Sequence, residues 1–271
     1  MGPGLVVLPI VLLASFTIAQ AKLFFEQEPA WIPVCSGPKI TTRKGRLMNP
    51  YYQLVGPLQW ALRPPPTSLN SANVSESGGW ILEKSYTYNV DRPLIVALTY
   101  MFEGQSILEF GAGTGCYSTA FATSGKVNEV KACDGSPNIE EITGGAVSFC
   151  DLTKPIHLPQ SDWVMCLEVG EHIPPATTSQ FISNLVSHAR KGIVLSWALS
   201  TRGRGHINTR TNEEVIAIME KQGMFWDKEA STRLREIGDI GWFKKTLMVF
   251  YKQGTPQVAW PTKTNGQNID Q

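Results

Sequence analysis

The stretch Ser106-Ile107-Leu108-Glu109-Phe110-Gly111-Ala112-Gly113-Thr114-Gly115-Cys116-Tyr117-Ser118 constrains this chain more than any other. An apolar run of strand type carries a carboxylate near its end, passes through three glycines spaced two apart, and enters Ser118 to Ala122, a segment able to start a helix. A chain that reverses so tightly must visit backbone angles closed to residues with a Cβ, and a ligand can then lie against bare backbone. The bend is therefore a seat for a cofactor, flanked by a strand and a helix.

Three more strand ends follow in order. Lys126 to Cys133 reads as a second strand and ends in Asp134-Gly135. Ala146 to Phe149 reads as a third and closes with Cys150-Asp151-Leu152. Asp162 to Leu167 is the fourth and runs into Glu168-Val169-Gly170-Glu171-His172-Ile173-Pro174. An acid about 20 residues past a glycine bend, at a strand end, can accept hydrogen bonds from both hydroxyls of a nucleotide's ribose. A dinucleotide fingerprint would need Gly-x-Gly-x-x-Gly, and here the sixth place from Gly111 is Cys116.

Gly-x-Gly-x-Gly, preceded two residues earlier by Glu109, resembles the first motif of the class I S-adenosylmethionine (SAM) methyltransferases, and the later strand ends fit the same pattern. The resemblance covers about residues 92 to 252. It implies an α/β, Rossmann-like, doubly wound fold: a seven-stranded, mostly parallel sheet with helices on both faces, the cofactor at the carboxyl ends of the first strands and an N-terminal extension over it. It also implies roles. Gly111, Gly113 and Gly115 give the methionine moiety backbone access, with Glu109 nearby; Asp134 takes the ribose; Asp151 or the neighbouring backbone takes the adenine; Glu168 stands with these cofactor contacts.

Glu168-x-x-Glu171-His172 places three ligand-type side chains on one face if the chain turns helical there. Two carboxylates and an imidazole suit a divalent ion such as Mg²⁺ or Mn²⁺. This feature, with a further His after the fifth strand, resembles the metal site of small-RNA 2′-O-methyltransferases, and its first part that of ubiquinone-pathway O-methyltransferases. By position His206 is the fourth ligand in that resemblance. Without metal, His172 or His206 is the expected general base, since imidazole titrates near neutrality, and His172 could equally contact the cofactor or cap a helix.

The 271 residues, 42% of them apolar, suit one domain with a full-sized core. A formal net charge of +1 argues against nucleic acid as the partner, and the cluster Lys39, Arg43, Lys44 and Arg46 reads as a solvated loop. The run Leu5 to Ala19, followed by Ala19-Gln20-Ala21, fits a secretory signal over residues 1–21, though it lacks a basic start, so an uncleaved membrane anchor is the alternative. The expected address is the secretory pathway, lumenal or secreted, without a stable membrane span. Asn73-Val74-Ser75 is a glycosylation sequon in keeping with that address. Five cysteines are an odd number for a secreted chain. Cys116, Cys133, Cys150 and Cys166 all fall in or near predicted strands, as small buried hydrophobes would, and a disulfide between Cys133 and Cys150 stays open.

Residues 22–91 read as an irregular extension, in which Trp80, Tyr86 and Tyr88 are either lid contacts or ordinary aromatic packing. Asp91-Arg92-Pro93 caps a helix that stops at Gly104. Phe181 to Ala189 carries one apolar helical face ending at Gly192, before a fifth strand Ile193 to Trp197. Thr211 or Asn212 caps the next helix, Phe225-Trp226 starts a sixth strand, and Thr246 to Tyr251 forms the seventh. Asp227 to Phe243 is an insertion holding a helix from Glu229 to Ile237, and 253–271 is a polar tail. The acceptor is expected to be a hydroxyl of a small molecule or sugar. Two other classes remain: a secreted binding protein of this fold without turnover, and an oxidoreductase using NAD.

Overall fold

The structure is a computed structural model that describes residues 74, 75, 78–81 and 89–255. The expected signal segment, Cys35, the basic cluster Lys39 to Arg46, Asn73 of the sequon, Tyr86, Tyr88 and the tail beyond 255 lie outside the described residues. Among the described residues no helix is long and apolar enough to cross a membrane.

Asp91 opens α1 (Arg92–Met101). One carboxylate oxygen accepts from the Leu94 N–H at 3.1 Å, and Pro93, in the first turn, has no N–H to satisfy. The other oxygen accepts from the Asp239 and Ile240 N–H groups, each at 2.8 Å. One buried side chain thus caps the helix and ties it to the insertion.

The strands β1 (Ser106–Phe110), β2 (Glu129–Asp134), β3 (Ser148–Phe149), β4 (Ser161–Cys166), β5 (Ala189–Leu195), β6 (Met224–Asp227) and β7 (Met248–Lys252) form one sheet in the order β3-β2-β1-β4-β5-β7-β6. Only β7 runs antiparallel to its neighbours, β5 and β6. This is the seven-stranded, mostly parallel, doubly wound arrangement expected from the sequence. The central strands are apolar throughout because layers cover both faces, and alternation sends successive residues to opposite layers. Ile107, Trp163, Met165, Val194 and Val249 meet α1, α2 (Cys116–Thr123) and the later α6 (Lys228–Ile237). Leu108, Val164, Cys166, Ile193 and Phe250 meet α4 (Thr178–His188) and α5 (Asn212–Glu220). Two short helices complete the set: α3 (Ile139–Thr143) packs with Val147 and Ala112 near the bend, and α7 (Phe243–Thr246) precedes β7.

Several boundaries differ from expectation. Gly192 does not end a helix: α4 stops at His188, and Gly192 lies inside β5, where a Cβ would stand 2.4 Å from the Trp163 ring. An indole crossing the strand needs that gap. The third strand is two residues long, Ala146 and Val147 being outside it, α1 ends at Met101 before Gly104, and Thr246 belongs to α7 rather than to the last strand. The α5 cap is Thr211, which forms a reciprocal box with Glu214. Cys133 and Cys150 are joined by a disulfide, with Cα atoms 5.6 Å apart, and the link across 17 residues of chain contributes about 3 kcal/mol by loop closure.

After β1 the chain steps outward to β2 and β3, then crosses back to lay β4 against the other side of β1. Neighbouring connections leave in opposite directions there, and a crevice opens beyond the carboxyl ends of β1 and β4.

Candidate active site

A cavity of about 480 Å³ occupies that crevice. Its size falls within the range of small-molecule sites. One side is the glycine bend. Gly111, Gly113 and Gly115 all have positive φ, 70°, 54° and 76°, and a Cβ on Gly111 would stand 2.2 Å from Val169 Cγ2. The bend is fastened to β2 because the Gly111 and Ala112 N–H groups donate to the Cys133 carbonyl at 2.8 and 3.1 Å. Asp134, the next residue, reaches back: Oδ2 accepts from the Gly113 N–H and Oδ1 from the Ser136 N–H, both at 2.8 Å. Burial pushes this carboxyl up while the two N–H donors push it down.

Glu109 lies under the bend, nearly inaccessible. Its Oε2 accepts from the Ser118 N–H at 3.0 Å and from the Ser118 hydroxyl, so it also fastens the start of α2. Burial raises its carboxyl to about 8, against the pull of Ser118 and with a smaller push from the Asp134 charge. Asp151 is a correction. Its carboxylate turns to the Thr153 N–H and hydroxyl, at 3.0 and 2.6 Å, and to Lys154 at 3.0 Å. Although burial opposes it, those partners hold Asp151 below the usual carboxylate range, and Leu152, not Asp151, lines the cavity. Three short-range donors outcompete a distant ligand for that side chain.

The opposite side is built from the ends of β4 and β5. Glu168 adopts a left-handed backbone, φ 55°, the one non-glycine residue to do so among those described. A single helical turn, Gly170–His172, follows and packs on Trp197, whose ring would lie 2.4 Å from a Cβ at Gly170. The loop after β5 is pinned to this turn because the Ile207 and Asn208 N–H groups both donate to the Glu171 carbonyl, at 2.9 and 3.0 Å. Trp197 Nε1 donates to the Asn208 carbonyl and Asn208 Nδ2 to Thr178 Oγ1, which locks the loop from behind.

This pinning brings the Glu171 carboxylate and one nitrogen each of His172 and His206 within 4.8 Å of one another. His172 Nδ1 is 3.0 Å from the Gly205 carbonyl and His206 Nδ1 is 2.7 Å from the Ser200 carbonyl. A carbonyl oxygen only accepts, so Nδ1 carries the proton in both rings and each Nε2 keeps a bare lone pair in the neutral form. His206 Nε2 is 4.0 Å from Glu171 Oε1. Glu171 is fully buried; the Ala198 backbone and the Glu168 carboxyl lie against its carboxylate, but neither makes a well-aligned hydrogen bond to it. Burial, with the charge of Glu168, drives its carboxyl well above the usual range. Burial likewise lowers His172 to about 4, against the Gly205 hydrogen bond, which leaves the ring neutral at ordinary pH.

Of the four ligands expected from the sequence, three therefore converge. Glu168 lines the cavity but is outside that group; its Oε1 accepts from the Thr246 hydroxyl at 3.4 Å. Several lining residues escaped sequence reasoning. Gly78 and Gly79 bridge the two sides, since a Cβ on Gly79 would meet the Gly135 carbonyl at 2.0 Å and one on Gly78 the His172 carbonyl at 2.2 Å. The Gly-Gly pair was the available signal, inside what reads as a loop. Trp80 follows, standing edge-on to His172 with ring centres 5.5 Å apart and lining the cavity, as one of its two expected roles required. Arg204, from the loop after β5, and Trp242 and Phe243, at the start of α7, also line it, with no periodic signal in the sequence.

No protein-family profile and no curated protein matches the chain. Solved structures similar to it in fold include magnesium protoporphyrin IX methyltransferase from Synechocystis with bound S-adenosylhomocysteine (SAH), 18% identical, covering 62% of this chain and 90% of that one at a TM-score of 0.45. The N-methyltransferase NodS from Bradyrhizobium japonicum in complex with SAH is 16% identical, with 59% and 84% covered and a TM-score of 0.43. An amino pentose methyltransferase from Micromonospora echinaspora with bound SAM is 14% identical, with 55% and 83% covered and a TM-score of 0.43.

Proposed function

We propose that the protein transfers a methyl group from SAM to a hydroxyl oxygen of a small-molecule or glycan acceptor, in the secretory pathway or outside the cell, with a divalent cation held by Glu171, His172 and His206. The observation that carries methyl transfer is the grip of the bend on Asp134. Each oxygen of that carboxylate spends one acceptor site on a backbone N–H and keeps another for a ribose hydroxyl, at the edge of a cavity floored by glycine backbone. Glu109 adds a buried carboxylate with one oxygen engaged, which suits a cationic ligand.

The cation is supported by an orphaned group. A carboxylate removed from water costs several kcal/mol, roughly, unless a proton or a positive charge compensates it. Glu171 has no solvent and no well-aligned hydrogen bond, and it lies close to two imidazoles, each of which has its Nδ1 tied to a carbonyl, the second contact that ligating imidazoles regularly make. Two imidazoles with one carboxylate suit Mn²⁺ better than Mg²⁺, which prefers oxygen.

When bound, SAM supplies a methyl group on a sulfonium whose departing thioether needs no proton, and the cation supplies positive charge that lowers the pKa of a nearby hydroxyl. The chain's own part is positioning and charge. Glu109 and Asp134 supply acceptor oxygens on the bend side, and a cationic ligand would favour the ionised form of Glu109. Glu171 balances positive charge on the other, while the Gly205 and Ser200 carbonyls keep the two rings from turning. The Gly78–Trp80 segment spans both sides and limits the access of water between them. The Cys133–Cys150 disulfide supports an oxidising compartment.

Thermal unfolding with SAH and with NAD tests the cofactor. SAH at one hundred times its Kd should add about 2.7 kcal/mol of stability and NAD nothing; protection by NAD alone overturns the reading. If SAH protects but neither catechols nor sugar diols are methylated, the chain is a binding protein of this fold. Calorimetric titration tests the cation: a single Mn²⁺ per chain should bind, and Glu171→Gln should abolish it. Methylation indifferent to chelator would remove the cation and leave the rest.

A further inference from the structure

We infer that the acceptor carries an anionic group, a carboxylate, sulfate or phosphate, beside the hydroxyl that is methylated, and that Arg204 recognises it; this rests on the methyl-transfer reading above. Arg204 is the one lysine or arginine among the described residues that line the cavity, whose carboxyl groups are those of Glu109, Asp134 and Glu168. Those acids face a cofactor that brings its own positive charge. An arginine has no counterpart among them on the bend side.

The loop around Arg204 is built to hold it at the mouth. A Cβ on Gly203 would stand 2.0 Å from the His206 ring, and one on Gly205 3.2 Å from His172 Nδ1 and 3.3 Å from Trp80. Both imidazoles therefore pack directly on the backbone that flanks Arg204, and Gly205 has a φ of 69° that only glycine adopts readily. The guanidinium is exposed and makes no hydrogen bond or ion pair with any described residue, so its donors are available as a fork for a planar anion. It shares the mouth with Trp80 and with Trp242, which is 43% exposed although a large apolar side chain. Flat aromatic walls beside one cation suit an acidic sugar or an acidic catechol rather than a neutral one.

The test uses matched pairs on the full chain saturated with SAH: 3,4-dihydroxybenzoate against catechol, and glucuronate against glucose, with affinities read by calorimetry. At least one acid should bind tenfold or more tightly than its neutral twin. Arg204→Gln should erase that difference while leaving the neutral twin and SAH within twofold of wild type, and Arg204→Lys should keep part of it. Equal affinities in both pairs, or a preference that survives Arg204→Gln, would overturn the inference. A tenfold loss of SAH affinity in Arg204→Gln would overturn it as well, by assigning the guanidinium to the cofactor's carboxylate. If wild-type protein fails to bind SAH, the methyl-transfer reading falls and takes this inference with it.

Discussion

The two sides of the cavity treat their acids in opposite ways. On the bend side buried Glu109 and half-buried Asp134 are hydrogen-bonded, Glu109 Oε2 to the Ser118 N–H and the two Asp134 oxygens to the N–H groups of Gly113 and Ser136. On the far side Glu171 is more deeply buried, neither of its oxygens makes a well-aligned hydrogen bond, and burial with the neighbouring Glu168 pushes its carboxyl well above the usual range, although the backbone around it is densely hydrogen-bonded to the loop after β5. The difference teaches that the bend side is held by hydrogen bonds that still leave acceptor oxygens to share with a ligand, whereas the far side gathers a buried carboxyl and two imidazoles with few hydrogen bonds among them.

The comparison predicts different outcomes for two substitutions. Asp134→Ala removes the acceptor of two buried N–H groups and the expected ribose contact together. SAH affinity should fall at least a hundredfold, about 2.7 kcal/mol, and the protein should also lose stability. Glu171→Gln, by contrast, should leave the stability of chelator-treated protein within about 1 kcal/mol of wild type, because a neutral amide replaces a buried carboxyl that burial and Glu168 already push towards its neutral form. Stabilisation by Mn²⁺ should vanish in the same variant. If denaturant unfolding shows Glu171→Gln to be as destabilised in chelator as Asp134→Ala, the two sides do not differ in the way described.

The disulfide sharpens the comparison because it belongs to the bend side alone. Cys133 immediately precedes Asp134, its carbonyl receives the Gly111 and Ala112 N–H groups, and the Cys150 N–H donates to the Asp134 carbonyl at 2.9 Å. Replacing both cysteines by alanine should cost about 3 kcal/mol. SAH affinity should drop with it while Mn²⁺ affinity stays within twofold. Equal loss of both ligands would mean that the two sides are not separable.

How much of this was legible follows the same division. The bend, Asp134 and the order of the strands lie in short contiguous stretches where backbone angles and spacing are set locally, so Gly111 to Gly115 could be read residue by residue. The Glu171-His172 pair was legible too, being adjacent in sequence. His206 could be matched only by its position after the fifth strand, since its approach depends on the Ile207 and Asn208 N–H groups reaching the Glu171 carbonyl. Glu168 was grouped with Glu171 by helical spacing, but the chain makes only one turn there and begins it after a left-handed residue. For the adenine the sequence left Asp151 or the neighbouring backbone open, and the structure engages the Asp151 carboxylate with Thr153 and Lys154 while Leu152 lines the cavity. Arg204 had no local signature, and the Gly78-Gly79 pair, though visible as two adjacent glycines, is placed at the cavity only by long-range packing.

The smallest effect concerns Glu109 and separates charge from shape on the bend side. Its folded value of about 8 exceeds the ordinary 4.5 because burial disfavours the ionised form. The contribution of this group to stability is therefore whole below pH 4.5 and is lost as the pH rises through about 8. A cationic ligand reverses the preference, since it favours the ionised carboxylate. SAM affinity should accordingly increase with pH across that window, by at most about tenfold per pH unit, and level off above about 8. SAH has the same ammonium and carboxylate but a neutral thioether, so its profile should be shallower. In Glu109→Gln the two profiles should coincide. Parallel SAM and SAH profiles in wild-type protein, measured by calorimetry from pH 6 to 9, would mean that Glu109 does not face the sulfonium and serves only to fasten α2 through Ser118.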